Sequence, residues 1–513
     1  MASGKVKTAK AQKAKISFFK ALVIAVIILC VVGFFVYISG ILPKLMTGMK
    51  VVETAADGTQ TTVANISVLE TNYHFNEVFS MYAMYGMVSK DTLDDTVDET
   101  AGQTYREFIY QTAGDELMNS ALVRRAADAA GYSAHSGAAR YADMQLEAIR
   151  SSATTYGYKS LNQYLQAMYG TGFNANDYKT FSQNEAYTNE YENYLKQFEF
   201  VPSTEDIQAT FDEDPTEFER ADFNYYLFSA NKDDDGNVID LDKTKSDAQA
   251  VVNAVNRGKT FKEAVKTILE RDVEANADKL VSFSDDNVDP TVMTGYSHST
   301  AEYQFKEEVA DAIFGEVELG KAFTVELEDG TYVICVTSKT IDETTTVAYR
   351  TLTLANTASS DSEATAEQIA AGLAQVRATA ESLVQTRRTP IEFSDVVKQN
   401  TTNQNEILSG GYASGAVATD FQSGDAEGNA DQTNADLGAW LFDEARTEGD
   451  TYIVSAADSS SVTIYYFEAS YPAWMNSARD KYITARVNGW SQELTANSPS
   501  YQLNYQLLKL FQY

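Results

Sequence analysis

Residues 309–336 read VADAIFGEVELGKAFTVELEDGTYVICV. The stretch predicts the end of a short helix, Phe305 to Phe314, then two strands, Ala322 to Leu327 and Thr331 to Thr337, joined by Glu328-Asp329-Gly330. An Asp-Gly pair between alternating apolar runs is a strong hairpin signal, because the glycine accepts the positive φ that the tight turn needs.

Upstream of it, ERADFNYYLFSA at Glu219 to Ala230 is rich in aromatics and bounded by polar turns, which predicts a strand. The segment Lys243 to Ile268 then reads as one helix, with Ala248, Val251, Val252, Val255, Phe261, Ala264 and Val265 on its buried side. Part of this order recurs downstream. VAYRTLTLA at Val347 to Ala355 predicts a strand, Thr365 to Val384 and Ile391 to Gln399 predict helices, and Tyr452 to Ser455 and Val462 to Phe467 predict a closing pair of strands. By spacing, Phe314, Gly320, Phe323, Val325 and Val333 correspond to Phe442, Gly449, Tyr452, Val454 and Val462. Two copies of one α+β module are expected, over 216–345 and 346–471.

Residues 66–215 carry helical periodicity instead. Ile66 to Gly86 feeds an aromatic-rich helix, and Thr104 to Ala130 places Tyr105, Ile109, Ala113, Leu117 and Ala121 on one face. Helices at Ala138 to Ser151, Leu161 to Tyr169 and Asn176 to Phe198 follow, and the run STED at Ser203 to Asp206 predicts a capping box. Residues 472–513 predict a helix, Trp474 to Leu494, and an apolar end that needs a partner surface, for which the helical domain is the expected one.

At the other end, ALVIAVIILCVVGFFVYISGIL at 21–42 holds no charge, and six lysines stand in the tail 1–20 before it. At about 1.5 Å per residue this apolar run spans a hydrocarbon core of about 30 Å. It predicts a transmembrane anchor with a cytoplasmic N-terminus and an extracytoplasmic bulk, followed by a linker at 43–65.

The chain of 513 residues has a net charge of −33, and outside its first fifty residues the imbalance is steeper. Such a surface repels phosphate backbones, so no nucleic acid is expected as partner. Two cysteines, one of them the intramembrane Cys30, leave no disulfide framework or thiolate metal site. The histidines, His74, His135 and His298, lie far apart, and no nucleotide-binding or nucleophile motif occurs. No cofactor is expected. NKDDDGNVIDLD at Asn231 to Asp242 puts Asn231, Asp233, Asp235 and Asp242 at calcium-loop spacing, but a strand precedes it and Asp ends it, so an acidic hairpin tip is the expected reading.

In its order of parts the chain resembles the parvulin-type foldases anchored outside the bacterial cytoplasm, the SurA-, PrsA- and PpiD-like group. The resemblance rests on ISVLETNYHFNEVF, on PSTEDIQATFDEDPTEFERADFNYYLF and on the stretch 309–336. It implies a fold of class α+β: one N-terminal transmembrane helix, an all-helical SurA-N-like chaperone domain, two degenerate parvulin-like modules, and a C-terminal helix packing back on the helical domain. It also implies a peptidyl-prolyl isomerase site with a His in the first strand and another in the last. Those positions map near Phe223 and at Tyr332 in the first module, and at Arg350 and about Ser461 in the second, with no histidine at any of them. Twisting a prolyl amide can be helped by desolvation without a His, so active isomerase is one alternative reading and a surface scaffold or adhesin another.

The function expected from this resemblance is a membrane-anchored chaperone that holds unfolded or nascent secreted proteins as they leave the translocon, without efficient catalysis. A shallow surface of Tyr, Phe and Met can bury exposed apolar segments with little ordering cost. The candidates are Tyr73, Phe75, Phe79, Met81, Tyr82, Met84, Tyr85 and Met87, each of which has a core position as its plain alternative.

Overall fold

The expected hairpin forms, but its glycine does not take a positive φ: Glu328 and Asp329 make the turn, and Gly330 opens the return strand, where a Cβ would stand 2.5 Å from the Phe228 carbonyl oxygen. Four-stranded sheets grow around this hairpin and around its counterpart. The computed structural model describes residues 22–23, 26–28, 30–31, 40–98, 102–233, 236–284, 287–422 and 432–512. The chain is a mixed α/β protein of helices and small antiparallel sheets. The tail 1–20 and most of the expected anchor 21–42 lie outside the described residues. Among those described, no helix is long and apolar enough to cross a membrane.

The first sheet runs in the order Val292–Tyr296, Glu219–Ser229, Gly330–Ile341, Ala322–Leu327. Side chains of a strand alternate between faces, and both faces are covered here. Val333 and Cys335 pack under helices Leu241–Val255 and Phe261–Leu269, while Tyr332, Ile334 and Val336 pack under His298–Phe305 and Glu307–Phe314. The single helix expected over Lys243 to Ile268 is two. Gly258 turns the chain at φ +101, and the Thr260 hydroxyl accepts the Glu263 amide to cap a new helix.

The second sheet repeats that strand order with Tyr412–Val417, Thr345–Ala355, Ser461–Pro472 and Thr451–Ser455. The copies agree in detail. The Gly320 amide donates to the Val336 carbonyl, and the Gly449 amide to the Phe467 carbonyl. Val336 stands opposite Phe223, and Phe467 opposite Tyr349. Immediately after, each strand carries a β-bulge, at Thr337 in one copy and Glu468 in the other. The register corrects one pairing expected from spacing. Val333 faces Thr324 and its counterpart is Ile464, which faces Ile453, because the turn at Ala457–Ser460, closed by the Ala456 amide on the Ser461 carbonyl, is two residues longer than the one at Glu328-Asp329.

Residues 43–65 are not a linker, and the domain they enter is not all-helical. Thr47–Thr54 and Gln60–Ser67 form a hairpin, and Ser500–Leu503 from the chain's end adds to Thr47–Thr54 as a third antiparallel strand. Met49, Val51 and Val52 are buried, which fixes the hairpin on the helices. Behind it stand Val68–Met84, Tyr105–Ala129, Ala138–Thr155, Leu161–Tyr169 and Ala175–Tyr194. The helix Thr204–Glu213 starts at the expected capping box, Ser203 accepting the Asp206 amide at 3.2 Å while Asp206 accepts the Ser203 amide at 3.0 Å. Leu508 and Phe511 lie in the same core cluster as Val68, Phe75 and Ile109, so the chain's end completes this domain.

Candidate functional site

Ser67 caps the helix Val68–Met84 by accepting the Glu70 amide at 3.1 Å. From that fixed start the eight aromatic and methionine candidates fall into three environments. Tyr73 and Phe75 are core: Tyr73 stacks on Phe173 at 5.9 Å, and Phe75 tilts against Tyr110 at 4.3 Å. Phe79 and Tyr82 are half-buried, lying 6.3 Å from Phe75 and 5.6 Å from Phe108. Met81, Met84, Tyr85 and Met87 are exposed, at 45%, 74%, 69% and 58%. The helix ends there because Gly86 takes φ +70 and the Met87 amide reaches back to the Tyr82 carbonyl.

The stripe is therefore a core on one side and a projecting Met–Tyr rim at the helix end. Unbranched, polarisable methionines and one tyrosine can adapt to varied apolar partners at low ordering cost. Four such residues open to solvent lie within the short stretch 81–87.

The mapped isomerase positions come together in the first unit and separate in the second. Phe223 and Tyr332 share a face and both meet Phe305, at 5.8 and 6.5 Å. Arg350 and Ser461 do not meet, since Arg350 faces Tyr466 while Ser461 faces Ala355. By register, the counterparts of Phe223 and Tyr332 are Tyr349 and Thr463. A slip of one residue turns a side chain to the opposite face, and that is where Arg350 points. Burial holds the Tyr332 and Tyr349 hydroxyls above the ordinary tyrosine range. Aromatic rings and one threonine at these places can bury a ligand but offer no proton donor or acceptor poised near neutral pH.

Arg350 is fully buried where the second unit meets the helical domain. Its Nε lies 2.9 Å from Glu468 Oε2, its Nη1 donates to Gln197 Oε1 at 2.8 Å, and its guanidinium lies over the Phe198 and Tyr412 rings. Burial pushes the Glu468 carboxyl up and the Arg350 guanidinium down, and their mutual attraction opposes both shifts. Around this centre, Gln197 donates to the Ser409 carbonyl, Asn193 to the Leu408 carbonyl, and Lys398 to the Tyr132 hydroxyl. Sequence reasoning missed this interface. The available signal was a lone arginine inside the apolar pattern VAYRTLTLA, which must find a buried partner.

The histidines lie away from both places. His74 is buried with Nδ1 3.5 Å from Glu185, His135 pairs with Asp395 at 2.9 Å, and His298 with Asp311 at 2.9 Å. In the acidic loop Asn231 donates to Asp240, Asp233 accepts from Asn237, and Asp242 sits in the first turn of the next helix. Asp235 lies outside the described residues. Asn231-Lys232 pairs with Val238-Ile239 as a small hairpin, and no group of three metal-ligating side chains converges among the described residues.

In comparison with known proteins, the chain matches no family model and no curated protein.

Proposed function

We propose that the protein is an extracytoplasmic, membrane-anchored chaperone of the parvulin-foldase type that holds unfolded exported proteins and does not isomerise prolyl bonds efficiently. The observation that carries this reading is the rim of Met81, Met84, Tyr85 and Met87, exposed at the end of a helix whose other side is packed core. Apolar side chains cost free energy in water unless something covers them at intervals. An emerging client supplies that cover. The charge of −33 supports the same role by keeping the loaded protein dispersed.

The two α+β units support the parvulin kinship by their shared strand order and matched bulges. The residues at the catalytic places, Phe223, Tyr332, Tyr349 and Thr463, favour holding over proton-assisted catalysis. The uncharged run 21–42 and its lysine tail support tethering, which raises the effective concentration of a weak binder near the membrane face where clients appear.

The test is light scattering from a chemically unfolded secreted protein diluted into the full-length chain in detergent. Stoichiometric suppression of aggregation is expected. Scattering equal to that with an inert acidic protein would overturn the reading.

A further inference from the structure

The helix Ala175–Tyr194 ends in a π-helical turn, Leu195–Glu199, closed by the Phe200 amide on the Leu195 carbonyl at 2.8 Å. Such turns are rare and concentrate where a protein binds something. Lys196 and Gln197 of this turn line a cleft of about 350 Å³, walled by Tyr412 of the second unit and by Arg479, Ile483 and Val487 of the helix Ala473–Leu494. Three separate parts of the chain thus build it. Its size is that of a small-ligand site rather than a packing defect.

Its charge runs against the rest of the protein. The lining carries two cations, Lys196 and Arg479, and one acid, Asp480. The guanidinium groups of Arg350 and Arg479 lie 5.1 and 5.8 Å from the Tyr412 ring, so a third cation stands close by. Glu468 compensates Arg350, and Arg479 donates to the Tyr412 hydroxyl at 2.7 Å and stands 3.9 Å from Asp480. Lys196 has no ion-pair partner among the described residues. In a chain of net charge −33, a recess with an uncommitted ammonium beside apolar walls selects for a negative ligand.

From these features we infer that the cleft binds an extended peptide segment presenting a carboxylate beside an apolar or aromatic side chain. The carboxylate meets Lys196 and the edge of Arg479, and the apolar group lies against Ile483, Val487 and the Tyr412 ring. A basic segment meets two cations there and is rejected. This site is distinct from the uncharged Met–Tyr rim, which takes apolar segments without regard to charge.

The test is fluorescence anisotropy on the full-length chain with three labelled pentapeptides that differ only in a central Glu, Gln or Lys between two Phe. The Glu peptide binds about tenfold more tightly than the Lys peptide, and the difference shrinks at high salt. Lys196→Glu abolishes the preference, and Lys196→Gln reduces it should the reversal fail to fold. Lys279→Glu, an exposed site on the first unit, leaves it in place. Equal binding of the three peptides, a preference that survives both Lys196 variants, or a dimer that closes the cleft against all three would overturn the assignment.

Discussion

Arg350 Nε lies 2.9 Å from Glu468 Oε2, and Glu468 is the bulged residue of its strand. The bulge at the same point of the first unit holds Thr337, whose hydroxyl donates to the Asp222 carbonyl. The same bulge position thus closes onto the neighbouring strand in the first unit, and in the second holds Arg350 where it reaches Gln197 of the helical domain.

Breaking that ion pair from one side leaves a buried charge without its partner, which costs about 3 to 5 kcal/mol. Arg350→Met is expected to lower stability by that amount in urea unfolding. The double variant Arg350→Met with Glu468→Leu should recover part of the loss. Equal stability of the single variant and the parent would contradict the interface role.

Serine at Met84, Tyr85 and Met87 should weaken aggregation suppression several-fold while the melting temperature stays constant, because exposed substitutions change stability by about 0.5 kcal/mol or less. Phe75→Ala, in the core on the same helix, should cost about 3 to 5 kcal/mol. Unaltered suppression by the triple variant would remove the rim from the mechanism.

Two groups in the helical domain, the buried His74 and the partly exposed Glu185, give opposite pH dependences. Burial, then Glu77, Glu116 and Glu70, push the Glu185 carboxyl up to about 8. Its stabilising contribution is full below the unfolded value of about 4.3 and is lost as pH rises through about 8. Burial, then Arg124, push His74 down to about 4, so its contribution is full above about 6.5 and is lost as pH falls through about 4. Calorimetry across pH should show Glu185→Gln flattening the alkaline decline and His74→Gln the acidic one. Profiles that keep their slopes would refute the assignments.

A proline-peptide assay on the full-length chain should give an isomerisation rate equal to buffer. With Phe223, Tyr332, Tyr349 and Thr463 at the four places, the barrier of about 18 to 20 kcal/mol meets no assisting acid or base. A protein-dependent rate that scales with concentration would show that burial alone suffices.

Local signals carried far in this chain. The Ser203 capping box and the closing strand pair of each unit are set by neighbouring residues and form where expected, and the hairpin before Gly330 forms too, although that glycine serves close approach to the Phe228 carbonyl and not a positive φ. Long-range pairings were not legible. Nothing near Met49 announces that its partner is Leu503, so the hairpin at 47–67 read as a linker. The two extra residues of the second hairpin turn shift the counterpart of Val333 from Val462 to Ile464, and a separate one-residue offset on the strand Thr345–Ala355 turns Arg350 to the face opposite that of Tyr349. The eight residue types are legible in the sequence, but only packing against Phe173 and Tyr110 separates Tyr73 and Phe75 from Met84 and Tyr85.

The central claim is that the Met–Tyr rim holds unfolded clients, and site-specific photocrosslinking tests it most directly. A photoreactive residue placed at Tyr85 in the full-length chain is compared with one at Tyr303, which is 95% exposed on the first unit. The account predicts that position 85 crosslinks to an unfolded secreted protein and not to the same protein once it has folded, while position 303 crosslinks to neither form. Equal yields at the two positions, or capture of the folded client at position 85, would contradict it.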